Sequence, residues 1–129
     1  MDREIQETVE MILNAQKPMM ESSFEDTEID IDDLIDVAES GDSDAQGSVG
    51  LLYLYGIQVH RNYEKAAKWL EKSARQGNAG SEFQLGLCYS IGMGVEEDLD
   101  EAIRWVRRSV KHGFTEGMPF LIILESCYD

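Results

Sequence analysis

Apolar residues recur every three or four positions along most of this chain, which is the spacing that places them on one face of an α-helix. The first such face lies in residues 3–17, and the pattern predicts a helix there that stops at Pro18. Its apolar residues are Ile5, Val9, Ile12 and Leu13. Further along, the same spacing predicts helices at about 42–55 and 62–76. The expected fold class is therefore all-α.

The pattern repeats with a period of 36 residues. Shifting the chain by that distance aligns residues 38–73 with residues 74–109 without a gap. The aligned identities include Gly50, Tyr53, Gly56 and Trp69 in the first copy, and Gly86, Tyr89, Gly92 and Trp105 in the second. Each copy is a helix hairpin that cannot bury its apolar face alone. Neighbouring antiparallel hairpins are therefore expected to stack into a solenoid in which these eight residues are structural.

Local signals inside each copy agree with the hairpin. Asn62 and Asp98 lie where the second helix should have its N-cap. Gly50 and Gly86 lie in the middle of the first helix, where glycine costs about 1 kcal/mol relative to alanine. That cost is explained if the missing side chain lets the paired helix, with its tryptophan, approach closely.

These residues resemble the Sel1-like repeat, a relative of the tetratricopeptide repeat. The resemblance implies an α/α superhelix and a role as a scaffold or adaptor in protein complexes. Two full units are expected in residues 37–113, and residues 114–129 are expected to form the first helix of an incomplete third unit. Residues 1–36 are expected to form an acidic N-terminal cap, a degenerate helix pair with an acidic loop.

The first helices line the concave face if the hairpins stack as in tetratricopeptide proteins. The residues predicted to bind a partner peptide or helix there are Leu51, Leu54, Tyr55, Phe83, Leu87, Ile91 and Ile123. A face this apolar is typical of an interaction site. The alternative is that the N-terminal segment or a thicker core covers these residues, because leucine and phenylalanine are usually buried.

The last predicted helix is apolar all round at residues 120–124 and needs cover on more than one side. A partner, a second copy of the chain or residues 1–20 could supply that cover. A homodimer through this end is one hypothesis.

The formal net charge of −15 is unevenly distributed. Residues 1–36 contain twelve acidic against two basic residues. The predicted acidic surface consists of Asp26, Glu28, Asp30, Asp32 and Asp33, with Asp30 as a helix N-cap. Such a field disfavours nucleic acid and anionic membranes and favours a basic protein partner. It also supports an alternative function, an acidic immunity protein or inhibitor that neutralises a basic toxin; a small assembly or secretion chaperone is a further one.

Basic residues follow the two predicted second helices. They are Lys65, Lys68, Lys72, Arg75, Arg104, Arg107, Arg108 and Lys111. One interpretation is a site for an anion or an acidic peptide. The favoured interpretation is a solvated outer face, because acidic residues lie at neighbouring helix positions.

No residue pattern indicates catalysis, a metal or a cofactor. An EF-hand loop starting at Asp26 would need glycine and glutamate where Ile31 and Val37 stand. Cys88 and Cys127 are expected to be reduced thiols in the core. The N-terminus lacks the basic and apolar regions of a signal peptide, and no run approaches the roughly 20 apolar residues of a membrane span, so a cytoplasmic protein is expected.

Overall fold

The computed structural model describes residues 2–25 and 30–127. The helices in this part of the chain are α1 (Arg3–Glu25), α2 (Ile31–Glu39), α3 (Ser43–Tyr55), α4 (Tyr63–Arg75), α5 (Ala79–Ile91), α6 (Leu99–Lys111) and α7 (Met118–Ser126), with a 3-10 turn at Thr115–Gly117 before α7. The described residues contain no strand, and the predicted all-α superhelix is confirmed. Among them, no helix is both long and apolar enough to cross a membrane.

The ends of the repeat helices recur at the same positions in both copies. Asn62 and Asp98 are the N-caps of α4 and α6, as predicted, and their side chains accept hydrogen bonds from backbone N–H groups three residues later. Gly56 and Gly92 end α3 and α5 in the left-handed conformation, with φ of 68° and 76°. Glycine adopts this conformation without a steric penalty, so both hairpins turn at the same place.

Close packing within each hairpin depends on the glycine in the middle of its first helix. A methyl group at Gly86 would lie 2.5 Å from Cγ2 of Val106 and 3.3 Å from the carbonyl oxygen of Ala102. Gly50 faces Leu70 in the same way. The predicted close approach is therefore present, but an aliphatic residue rather than the tryptophan fills the space.

Gly86→Ala is expected to lower the free energy of unfolding by about 1–2 kcal/mol. The strain of overpacking, about 1–3 kcal/mol, exceeds the gain in helix propensity of about 1 kcal/mol, because the branched Val106 has little freedom to move. Gly80→Ala on the same helix is the matched control, since a methyl group there would meet only Asn78 Oδ1 at 3.6 Å. Urea denaturation should show Gly80→Ala as stable as the parent or more stable. Equal losses for the two variants would contradict this packing.

The N-terminal helix differs from the prediction in its length and in its place. α1 does not stop at Pro18 but continues to Glu25. Pro18 and Asn14 are both exposed, so the carbonyl group that proline leaves without a donor can bond water. The main contacts of α1 are with α5 and α7, whereas α2 packs on α3. Asn14 stands where the repeat has its mid-helix glycine, so α1 lacks the close-packing position of a repeat first helix.

Candidate functional site

The face formed by α3, α5 and α7, called the groove below, brings together the residues predicted to bind a partner. Leu54 and Phe83 are 3% exposed and Leu87 is fully buried. The other four predicted residues are partly buried, namely Leu51, Tyr55, Ile91 and Ile123. All seven belong to one apolar cluster or pack against it.

α1 packs against part of the groove, mainly on α5 and α7. Ile5 and Val9 of this helix are 3% and 0% exposed and belong to the same apolar cluster as the groove residues. On the opposite side of α1, Met11 is 70% exposed. Met19 lies on the same side as Ile5 and Ile12 and is 71% exposed, so the C-terminal part of this apolar face is not covered. The burial of Leu54, Phe83 and Leu87 agrees with the alternative, in which the N-terminal segment or a thicker core covers these residues.

A polar contact at the middle of α1 fixes its position along the groove. Tyr55 Oη donates a hydrogen bond to Gln16 Oε1 at 2.7 Å, and Gln84 Nε2 donates to the same oxygen at 2.9 Å. Burial raises the pKa of Tyr55 well above its usual value, which keeps the hydroxyl protonated as a donor. Gln84 Oε1 is buried and has no hydrogen-bond partner among the described residues. The sequence pattern gave no signal for these glutamines, because their spacing matches no known motif.

The N-terminal end of α1 is tied to the end of α7. Asp2 Oδ1 accepts hydrogen bonds from the N–H groups of Ile5 and Glu4, which lower the pKa of Asp2. Cys127 Sγ donates to Asp2 Oδ2 at 3.4 Å. At the other end of the helix, Phe24 lines a shallow hollow with Ile57, in the loop after α3. α1 thus crosses the groove from α7 to the end of α3.

The two cysteines should differ sharply in reactivity. Burial raises the pKa of the Cys88 thiol to about 12. Partial desolvation and the hydrogen bond with Asp2 raise the pKa of Cys127, whose side chain remains partly exposed. We expect iodoacetamide to modify Cys127 in the folded protein and to leave Cys88 intact, as measured by peptide mass mapping. Asp2→Asn should speed the reaction of Cys127, because the thiolate loses a negative neighbour. Comparable labelling of Cys88 would contradict its burial.

Glu82 is a buried carboxylate that sequence reasoning missed. Its side chain is 0% exposed. Oε1 lies 2.6 Å from His112 Nδ1, and Oε2 lies 3.2 Å from Arg108 Nε. The equivalent positions of the first repeat hold Gln46 and Gln76, where Gln76 Nε2 donates to Gln46 Oε1 at 2.8 Å. Aligning the two repeats would have revealed that Gln46 and Gln76 are replaced together, by Glu82 and His112. The contact joins α5 to the end of α6 and is structural.

The predicted acidic surface is only partly described. Asp30, Asp32 and Asp33 are exposed, and Asp30 caps α2 by accepting a hydrogen bond from Asp32 N at 3.0 Å, as predicted. Asp26 and Glu28 lie outside the described residues.

Several basic residues of α4 and α6 have partners on their own helix, whereas Arg107 pairs with Glu125 of α7 at 2.7 Å. Arg75 pairs with Glu71 at 2.7 Å, and Arg104 pairs with Glu101 one turn earlier on α6. Lys72 Nζ lies 4.5 Å from the centre of the Trp69 ring. Such pairs support the interpretation of a solvated outer face. Within residues 2–25 and 30–127, no group of three or more His, Cys, Asp or Glu residues is placed to hold a metal ion.

Comparison with models of protein families matches the Sel1 repeat at residues 43–78 and 79–114. These two units make up more than half of the chain. The chain belongs to the Sel1 repeat family. The two units run from the start of α3 to just past the end of α6, so α1, which packs on part of the groove of this Sel1-repeat chain, lies outside the repeats.

Similar proteins come from a virus and from bacteria. A putative sel1-like repeat-containing protein of Acanthamoeba polyphaga mimivirus is 49% identical over 39 residues, which is 30% of this chain and 7% of the viral protein. The crystal structure of a Sel1 repeat protein from Oxalobacter formigenes has a TM-score of 0.66 and 32% identity, with 68% of this chain and 36% of that one covered. The structure of c5321, a protective antigen of uropathogenic Escherichia coli with an SLR fold, has a TM-score of 0.70 and 29% identity, with 75% and 21% covered. The chain thus spans only a small part of each relative.

Sel1 repeat proteins are generally non-catalytic modules that bind other proteins. The two hairpins of this chain close identically, because the backbone carbonyl oxygens of Tyr53 and Tyr89 accept hydrogen bonds from the N–H groups of Asn62 and Asp98, both at 2.9 Å.

Proposed function

We propose that this chain is a non-catalytic interaction module whose groove binds an apolar helix of another protein in place of α1. The observation that carries the proposal is α1 itself. This helix packs on α5 and α7 and buries Ile5 and Val9 in the apolar cluster that contains the groove residues. The groove is therefore shaped for a helix, which is a recurring mode of peptide recognition.

Exchange of α1 for another helix is compatible with the rest of the fold. α3 with α4 and α5 with α6 form the closely packed hairpins, and α2 and α7 pack on their ends. α1 adds its contacts from one side only. An external helix has to compete with α1, so its apparent affinity is reduced by the fraction of molecules in which the groove is open.

A labelled peptide of residues 2–25, supplied to the full chain, tests the proposal. Fluorescence anisotropy should show weak binding to the parent protein, whose own α1 competes. Binding should be at least about tenfold tighter to the Val9→Ala variant, in which the lost methyl groups weaken α1 and open the groove more often. Equal affinity for the two proteins, or no binding to either, would contradict the proposal.

The exposed acidic residues of α2 support a second candidate, an inhibitor such as an immunity protein that neutralises a basic protein. Asp32, Asp33 and Asp36 all face solvent. Partner association that weakens steeply with added salt would favour this candidate, whereas association independent of salt would favour the apolar groove. The groove would equally serve an assembly or secretion chaperone. The cytoplasmic location of the protein remains a prediction.

The homodimer through α7 also remains a prediction. α1 and α6 pack on this helix and leave Met118 and Ile122 46% and 61% exposed. Light scattering that detects only monomer at micromolar concentration would contradict the dimer.

A further inference from the structure

We propose that the groove selects its partner helix by a side-chain pattern, with apolar residues at positions i, i+4, i+7 and i+8 and an amide side chain at i+11. This inference rests on the proposed function and names the kind of helix that the groove accepts. The residues of α1 that show the pattern are Ile5, Val9, Ile12, Leu13 and Gln16. The first four sites provide affinity, and the fifth fixes register and direction.

The apolar sites account for the helical spacing. Ile5 and Val9 are buried, and Ile12 and Leu13 pack against the same cluster while remaining partly exposed. The most deeply buried side chains of α1 are therefore Ile5 and Val9, in the helix whose main contacts are with α5 and α7. Substitution of a polar residue at the position of Val9 removes the deepest of these contacts.

The amide site accounts for specificity. The groove presents two donors there, the Tyr55 hydroxyl and Gln84 Nε2, which converge on one oxygen of Gln16. Within the described residues, Gln84 Oε1 is a buried acceptor without a donor. Two donors that converge on one oxygen require an acceptor, which an amide supplies and a cation or an alkyl group does not. An alkyl group would leave both groove donors without a partner.

Direction follows from the same contact. The amide site lies at the end of α3 and the middle of α5, whereas the N-terminal end of α1, which precedes the deep apolar sites, contacts Cys127 at the end of α7. A helix that entered the groove in the reverse direction could not place its apolar residues and its amide in these positions together.

The test measures binding of peptide variants to the full chain with Val9→Asp, in which the chain's own α1 no longer fills the groove; Val9→Ala replaces it if Val9→Asp does not fold. Three peptides of residues 2–25 are compared: the parent sequence, one with Gln16→Leu, and one in which Ala15 and Gln16 are exchanged. The exchanged peptide has the parent composition and is the matched control for hydrophobicity. Both altered peptides should bind about tenfold more weakly than the parent peptide, because two buried donors lose their acceptor.

Substitutions in the full chain that binds the peptides, the receptor, complete the test. When Tyr55→Phe and Gln84→Leu are introduced, the Gln16→Leu peptide should bind at least as well as the parent peptide. If none of the peptides binds either receptor, the proposed function fails together with this inference. If all three bind equally, the groove is a helix site without amide selection, and only the inference is overturned.

Discussion

Replacing Val9 with aspartate is expected to free α1 from the groove while α3–α6 stay folded. Val9 is fully buried, and a carboxylate in its place would lose its hydration without gaining a partner. The carboxylate regains its hydration if α1 leaves the groove. The loss in the free energy of unfolding is therefore limited to what the packing of α1 contributes. Burial of Ile5 and Val9 sets that contribution at about 3–5 kcal/mol.

Hydrogen exchange with mass spectrometry measures this release directly. Amides of residues 3–25 should lose their protection in Val9→Asp, whereas those of α4 and α6 should keep it. Met11→Asp is the matched control, because it adds the same charge two residues along the same helix at a position 70% exposed. It should change stability by no more than about 0.5 kcal/mol. Similar behaviour of the two variants would contradict the docking of α1 seen in the structure.

Removing both hydrogen-bond partners of the buried Glu82 side chain is expected to be among the most damaging changes in the repeats. In the double variant Arg108→Ala with His112→Ala, the carboxylate stays buried without a compensating charge. Breaking a buried ion pair from one side costs about 3–5 kcal/mol. Arg108 and His112 are themselves half-exposed, so the cost arises from Glu82 rather than from the residues removed.

A neutral side chain at position 82 should restore the stability. Glu82→Gln added to the double variant should recover at least half of the loss in urea denaturation, because no buried charge is left. Glu82→Gln with His112→Gln, in the otherwise unchanged chain, copies the Gln46–Gln76 contact of the first repeat and should stay within about 1 kcal/mol of the parent. No recovery with Glu82→Gln would show that the buried charge is not the source of the loss.

The repeat framework could be predicted from the sequence because it depends on local rules that recur. The sequence predicts that α3 ends at Gly56, and the structure agrees, because only glycine adopts the left-handed conformation without strain. Asn62 and Asp98 cap helices because their short side chains accept backbone hydrogen bonds. Two copies of each signal, 36 residues apart, make chance agreement improbable.

The place of α1 could not be predicted in the same way. Ile5, Val9 and their neighbours define an apolar face, but such a face does not specify which surface it packs against. The expectation that residues 3–17 form the first helix of a hairpin with α2 used the repeat register alone. That register puts Asn14 and Lys17 where the repeats have glycine and tyrosine, which is the local sign that α1 does not follow the repeat.

The polar contacts of the site lie beyond sequence reasoning for a different reason. Gln16 meets Tyr55 across 39 residues and Gln84 across 68, and glutamine is common on exposed helix faces. Only the packing of α1 in the groove brings these side chains together. The predicted groove residues were found on one surface because they follow the repeat, whereas the residues that position α1 do not.

A reversible lock on α1 tests most directly whether the groove holds one helix at a time. Cys127 already contacts Asp2, so Asp2→Cys places two thiols together at the N-terminal end of α1. In a chain that also carries Val9→Ala, the labelled peptide of residues 2–25 should bind after reduction and should bind at least about tenfold more weakly after oxidation. The same chain with Cys127→Ser cannot form the disulfide and should bind equally in both conditions. Equal binding of the peptide to the locked and unlocked chains would contradict the account, because an outside helix would then not need the place that α1 occupies.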